Sequence, residues 1–205
     1  MLTTSEDVWV VGVTGASGVR YATRLLQVLP SLVKEVHVVF SDAALRVLND
    51  EEGVAINPSS LTMERLTGSA ADNVTFYNPR DIGARIASGS MLTTGMLVIP
   101  CSMATLGAIA HGIPSHLVHR AADVHMKEGR KLVLVPRETP LSPIHLENLL
   151  KLSRYGVKIV PAMPGFYHKP ETVQDMVDQF VMKVLDSMGV PNSLGSRWKE
   201  PGEAE

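Results

Sequence analysis

The sequence predicts one α/β domain of three layers, a doubly wound parallel sheet with helices on both faces. Three observations carry that prediction: apolar, β-branched runs of strand length recur along the chain, helical patterns separate them, and the connections are short. A chain of 205 residues is long enough for one sizeable core.

Val8–Val13 is the first strand, of the kind buried on both faces. The turn Thr14-Gly15-Ala16-Ser17-Gly18 follows at once, and from Tyr21 to Leu29 the residues Ala22, Leu25, Leu26, Val28 and Leu29 recur at helical spacing. Strand, glycine turn and helix together aim backbone N–H groups and the positive end of a helix at one point, which suits a phosphate or an electron-rich ring edge. The glycines at 12, 15 and 18 match neither G-x-G-x-x-G nor G-x-x-x-x-G-K-[ST], so the turn reads equally as a tight connection packed with small residues. Glu35–Ser41 is the second strand and Asp42–Asp50 a helix. Residues 51–73 are irregular, with Gly53, Pro58, Ser59, Ser60 and Gly68 marking loops. Val74–Tyr77 reads as a short strand, and Asp81–Ala87 as a helix running into Ser88-Gly89-Ser90.

Gly95–Pro100 is a buried strand, after which Cys101-Ser102-Met103-Ala104-Thr105 opens a helix. Lys131–Pro136 is the next strand and ends at Arg137-Glu138-Thr139-Pro140. A helix from near Ser142 to Leu152, a strand Val157–Pro161 and a long amphipathic helix Thr172–Met188 complete the pattern. The domain is expected over 1–190, with 191–205 a tail carrying Trp198.

The composition, 45% hydrophobic and 20% charged with a net charge of −2, gives no basic excess for nucleic acid or an anionic membrane. The longest apolar runs are strand-sized, which argues against a membrane span, and the first residues lack the features of a signal peptide. A single cysteine, Cys101, forbids an internal disulfide and fits a reducing compartment, so a cytoplasmic location is expected.

In a doubly wound sheet the ligand lies at the carboxyl ends of the strands, near the switch in strand order. Ser17, Ser41, Ser102, Arg137 and the Pro161–Tyr167 turn all follow strands directly and are expected to share that rim. Arg137 offers a planar fork for phosphate and Glu138 a proton carrier; the plain alternative is an ion pair at a strand end. Tyr167 and Lys183 supply a hydroxyl and a cation without a spacing that compels function. Arg120 and Lys127, in LVHRAADVHMKEGR, read as an anion site or as a solvated helix face. His111, His116, His119 and His125 do not complete a metal set and are expected at the surface or in structural roles. Cys101 is either a buried small residue or a thiolate stabilised by a helix N-terminus.

The segments GVTGASG, VVFSDAA, ASGS (Ala87–Ser90), PCSMATLGAIAHG, HRAADVHMKEGRKLVLVPRETPLSPIHLENLLKL and PAMPGFYHKPETVQDMVD resemble the flavin prenyltransferases of the UbiX type, within the homo-oligomeric FMN-binding flavoproteins. The similarity runs from about Val8 to about Gly189. It implies a Rossmann-like fold, a homo-oligomer of dodecamer type with FMN where subunits meet, and transfer of a dimethylallyl group from dimethylallyl phosphate to N5 and C6 of reduced FMN. The prenylated flavin would serve a UbiD-type decarboxylase, and no metal is implied. By the same resemblance the FMN contacts are Gly15, Ala16, Ser17, Ser41, Ser102, Met103, Ala104, Thr105 and Arg137. The prenyl-phosphate pocket is Tyr167 and Lys183 with Ser88, Gly89, Arg120 and Lys127, and Glu138, Ser17 and Glu51 are the residues of turnover. Lys183 stands where relatives often have Arg, and Ala104 where many have Lys. Two rival readings are an FMN-dependent cysteine decarboxylase, for which His37 is poorly placed inside a strand, and an FMN-binding module without chemistry.

Overall fold

The structure is a computed structural model that describes residues 5–195 and 197. Six parallel strands form one sheet: β1 (Ser5–Val13), β2 (Val33–Phe40), β3 (Val74–Tyr77), β4 (Gly95–Cys101), β5 (Lys131–Pro136) and β6 (Lys158–Ile159). Their order is β3-β2-β1-β4-β5-β6, so the chain winds outward in one direction from β1 and then in the other from β4. β1 and β4 are therefore the switch point, where loops diverge and leave a crevice. β4 is buried along all seven residues, as a central parallel strand must be when helices cover both faces.

The helices are α1 (Val19–Val28), α2 (Asp42–Glu52), α3 (Met63–Thr67), α4 (Met103–His111), α5 (Leu117–Lys127), α6 (Pro143–Arg154) and α7 (Val173–Met188). Alternation along β1 separates two cores. Trp9, Val11 and Val13 face α1, α2 and α7, whereas Val10 faces α4 and α5. On α1 the buried stripe Val19, Ala22, Leu25 and Leu26 follows helical spacing and packs against α7, where Tyr21 and Phe180 lie with ring centroids 4.7 Å apart. Each fully buried side chain of this kind contributes about 1.5–3 kcal/mol by leaving water.

α7 is fixed at both ends. Thr172 and Asp175 form a capping box at its start. At its finish Lys131 Nζ donates to Met188 O (2.7 Å) and Lys158 Nζ to Ser187 O (3.3 Å), cations meeting the negative end of the helix. Asn192 and Arg197 bond Asp186, and Leu194 packs on the core, so this part of the expected tail is held against α7. Trp198 lies outside the described residues.

Two elements depart from the sequence expectation. Asp81–Ala87 forms turns and one 3-10 segment (Arg85–Ala87) instead of a helix, because Asp81 accepts from Gly83 N and breaks the ladder. The Val157–Pro161 strand shrinks to two residues, since it pairs on one side only, with β5. α5 buries Leu117, Val118, His119, Ala121, Ala122, Val124 and His125, and keeps Arg120, Asp123 and Lys127 on its outer face, one of the two sequence readings.

Candidate functional site

The carboxyl ends of five strands are stitched side by side. Ser41 N donates to Val13 O (2.9 Å), Thr14 N to Pro100 O (3.2 Å), Arg137 N to Cys101 O (3.3 Å) and Ala162 N to Pro136 O (3.0 Å). At the switch point Thr14 Oγ1 donates to Pro100 O and accepts from Ser102 N, both at 2.8 Å. Ser41, the first turn, Ser102, Arg137 and the start of the 161–167 loop thus stand along one rim. Thr14 is the residue that sequence reading passed over: its hydroxyl, buried within the rim, is the staple between β1 and β4.

Two helices present their N-termini here. Ser41 Oγ caps α2 through Ala44 N (3.1 Å), and Ser102 Oγ caps α4 through Thr105 N (3.3 Å). Met103 and Thr105 are buried, whereas Ala104 is exposed in the first turn of α4. The first turn itself departs from expectation. α2 lies across it, with Ala43 so near Gly15 that an added Cβ would sit 2.4 Å from the alanine methyl. At the far end of α2, the Glu51 carboxylate accepts from Gly18 N (3.0 Å) and Val19 N (3.1 Å). The anion position of α1 is filled by the chain's own carboxylate, so the turn offers Ala16 and Ser17 to a ligand and not a helix N-terminus.

Arg137 and Glu138 are exposed at the rim. The Arg137 charge reaches Tyr21 of α1, where it opposes the burial that raises that phenol's pKa. Glu138 Oε1 accepts from Thr139 N (3.0 Å), which folds the carboxylate over its own loop.

The remaining expected site residues lie elsewhere in the chain. Ser88 and Gly89 precede β4, and Lys127 precedes β5. Arg130, one residue before β5, donates to Gly89 O and to Met91 O (2.6 Å), and Lys127 pairs with Glu128. This cluster occupies the amino edge of the sheet, about 23 Å from the rim for a seven-residue strand such as β4. Arg120 pairs with Asp123 on α5 (2.7 Å). Tyr167 Oη accepts from Gln179 Nε2 (3.0 Å), and Lys183 is exposed one turn further along α7. Lys127 and Arg137 do not share one pocket within a single chain, because residues before strands and residues after them fall on opposite edges; the start of α5, near Arg120, is tied instead to the carboxyl edge, where Leu117 N donates to Pro79 O after β3. Gln179, which holds Tyr167, left no signal in the sequence beyond its polarity on a mostly apolar helix.

Three of the histidines, His37, His119 and His125, are buried. His37 is 3% exposed within β2, its Nδ1 3.1 Å from Tyr77 Oη and its Nε2 3.3 Å from Glu35; burial lowers its pKa, with Glu35 opposing. His119 and His125 are buried, and among the described residues no group of three or more His, Cys, Asp or Glu could hold a metal. Cys101 is fully buried and its thiol is pushed strongly up by desolvation, which removes the thiolate reading. Among the described residues no helix is long and apolar enough to cross a membrane.

A model of the flavoprotein family matches residues 3–185. The flavin prenyltransferase UbiX of Halalkalibacterium halodurans is 45% identical over 199 residues, 97% of each chain. Among solved structures, a dodecameric FMN-dependent UbiX-like decarboxylase of Escherichia coli O157:H7 superposes with a TM-score of 0.83 at 47% identity, covering 94% of this chain and 100% of that one. A UbiX (PadA1) in complex with FMN and dimethylallyl pyrophosphate gives 0.84 at 39% identity, covering 95% and 98%. The peptidyl-cysteine decarboxylase EpiD, at 18% identity and a TM-score of 0.58, shares the fold alone. With near-complete coverage at these identities and a rim built at the switch point, the chain belongs to the flavoprotein family, among its flavin prenyltransferases of the UbiX type.

Proposed function

We propose that the protein transfers a dimethylallyl group from dimethylallyl phosphate to N5 and C6 of reduced FMN, and that the prenylated flavin passes to a UbiD-type decarboxylase. The observation that carries the reading is the stitched carboxyl rim, where two capped helix N-termini, the Ser17, Ser41 and Ser102 hydroxyls and the Arg137 guanidinium stand together. This donor set fits FMN. Small residues (Ala16, Ala104) leave room for a flat ring against backbone, and Arg137 with the two helix N-termini suits a phosphate. Bound there, reduced FMN supplies the electron-rich ring that accepts the five-carbon group.

The chain's own residues do the rest. Arg137, Lys127, Lys183 and Tyr167 meet the departing phosphate, and several cations and hydroxyls around one anion lower the cost of its release. Ser17 and Glu51 lie in and against the first turn, where Glu51 fixes the backbone that carries Ser17. Glu138, exposed beside Arg137, holds a carboxylate as proton acceptor at the rim.

Because Ser88, Gly89 and Lys127 sit on the opposite edge from Arg137, the donor pocket is completed by a second copy. Apolar side chains support an oligomer: Leu92, Met163 and Phe166 are 82%, 72% and 70% exposed in the single chain. A dodecamer, as in the E. coli relative, is the assembly proposed. The decarboxylase rival is disfavoured by His37, which is locked inside β2 with Tyr77 and Glu35.

The test is anaerobic incubation with reduced FMN and dimethylallyl phosphate, followed by mass measurement of the flavin. A flavin heavier by one prenyl unit is expected; unmodified FMN would overturn the proposal. Dimethylallyl pyrophosphate in a parallel reaction tells which donor is taken.

A further inference from the structure

Behind the Ser102 cap lies a hydrogen-bonded row that the proposed chemistry does not use. Ser102 Oγ donates to Thr105 Oγ1 (3.1 Å) while accepting from Thr105 N. Thr105 Oγ1 is 3.3 Å from His119 Nε2 on α5, and Thr105 and His119 are 3% and 7% exposed. On the other side of the ring, Ser115 Oγ is 3.0 Å from His119 Nδ1, and Ser115 N donates to the same nitrogen (3.4 Å). The His116 ring lies over His119, with centroids 3.7 Å apart.

The direction of this row follows from chemistry. A backbone N–H can only donate, so Nδ1 of His119 is an acceptor and the proton of the neutral ring sits on Nε2. Nε2–H therefore donates to Thr105 Oγ1. The threonine oxygen receives two donors, one from the imidazole and one from Ser102. Ser102 has thus spent its proton inward, and toward the rim its oxygen presents a lone pair. Burial keeps His119 neutral, its pKa lowered to about 4 by desolvation and by His116 beside it, so the arrangement holds at neutral pH.

We infer that His119 is a positioning residue for the flavin site: acting through Thr105, it turns Ser102 into a hydrogen-bond acceptor aimed at an N–H or O–H donor of the bound flavin. The inference rests on the reading of Ser102 as a flavin contact. The bland alternative, a satisfied core histidine, predicts that removing it changes folding stability alone.

The experiment titrates oxidised FMN into the full-length, flavin-stripped protein and follows both affinity and the visible absorption band of the bound flavin. His119→Leu is expected to weaken FMN about tenfold, the equivalent of one charge-neutral buried hydrogen bond, and to shift the band of the flavin that still binds. His119→Gln, whose amide reaches the Nε2 position, is expected to restore both readouts. Thr105→Val is expected to reproduce His119→Leu, and the double variant to be no worse than either single one. Ser102→Ala separates the two layers of the argument. If Ser102→Ala weakens FMN while His119→Leu leaves affinity and band unchanged, the inference fails and the Ser102 contact stands. If neither variant changes them, Ser102 does not touch the flavin and both fail. Should His119→Leu not fold, His119→Gln and Thr105→Val decide: a normal Thr105→Val overturns the inference.

Discussion

The two edges of the sheet use the same residue types in opposite ways. At the amino edge cations are consumed by the chain itself: Lys127 by Glu128, Arg130 by the Gly89 and Met91 carbonyls, Lys131 by the end of α7. At the carboxyl edge the backbone is satisfied strand to strand, and Arg137 and Glu138 project from that frame into solvent. Fixing the frame with main-chain bonds leaves the side chains for a ligand, which is how a rigid site keeps chemistry to spare. In the proposed function Lys127 has a second role on the amino edge, where the Ser88–Lys127 cluster would complete the donor pocket beside another copy's rim.

The largest effect follows from that second role. Arg137→Ala and Lys127→Ala are each expected to lower prenyl transfer by about a hundredfold or more, as losses of a group facing developing charge. If the two edges meet between copies, mixing the two inactive variants under conditions of subunit exchange restores part of the activity, because some sites then receive both native residues. A mixture as inactive as its components would place both residues in one chain's site and break the comparison.

Thr14→Val probes the frame without touching an exposed charge. It removes the staple between β1 and β4 and leaves Ser102 N and Pro100 O without their hydroxyl partner. A loss of about 2 kcal/mol in urea unfolding is expected, the usual size for orphaned buried polar groups. A loss below 0.5 kcal/mol, about the noise of surface substitutions, would show that the strand ends do not need it.

The smallest effect is in the pH dependence of stability. Burial lowers the pKa of His37, His116, His119 and His125 below the ordinary imidazole value of 6.5. The unfolded chain then binds more protons than the folded one as pH falls through 6.5, so stability is full above that value and drops toward pH 4. Unfolding midpoints measured from pH 8 to 4.5 should be level at first and then decline. His119→Gln should flatten part of the decline, and a midpoint that rises on acidification would contradict the burial of these rings.

Much of this was legible in the residues. Gly95–Pro100 and Lys131–Pro136 read as interior strands, since apolar β-branched runs need cover on both faces, and the structure extends the first by one residue, to Cys101. Ser41, Ser102 and Arg137 were placed on one rim simply because they follow parallel strands. Chain order also held the sign of the other edge: Ser88, Gly89 and Lys127 precede strands, so a single chain could not bring them to Arg137. Other features had no local signal. Glu51 reaches Gly18 across 33 positions, and Gln179 reaches Tyr167 across a loop and the first two turns of α7.

By itself the sequence determined the alternation of strands and helices, the layers they form and the side of the sheet on which each loop emerges, because these follow from periodicity and from the handedness of parallel crossovers. The tertiary structure alone decided which donors remain for a ligand. Whether a helix start, a hydroxyl or an imidazole is available depends on what reaches it from a distant part of the chain, as Glu51 reaches α1 and His119 reaches the α4 cap, and such pairings are set by packing and not by spacing.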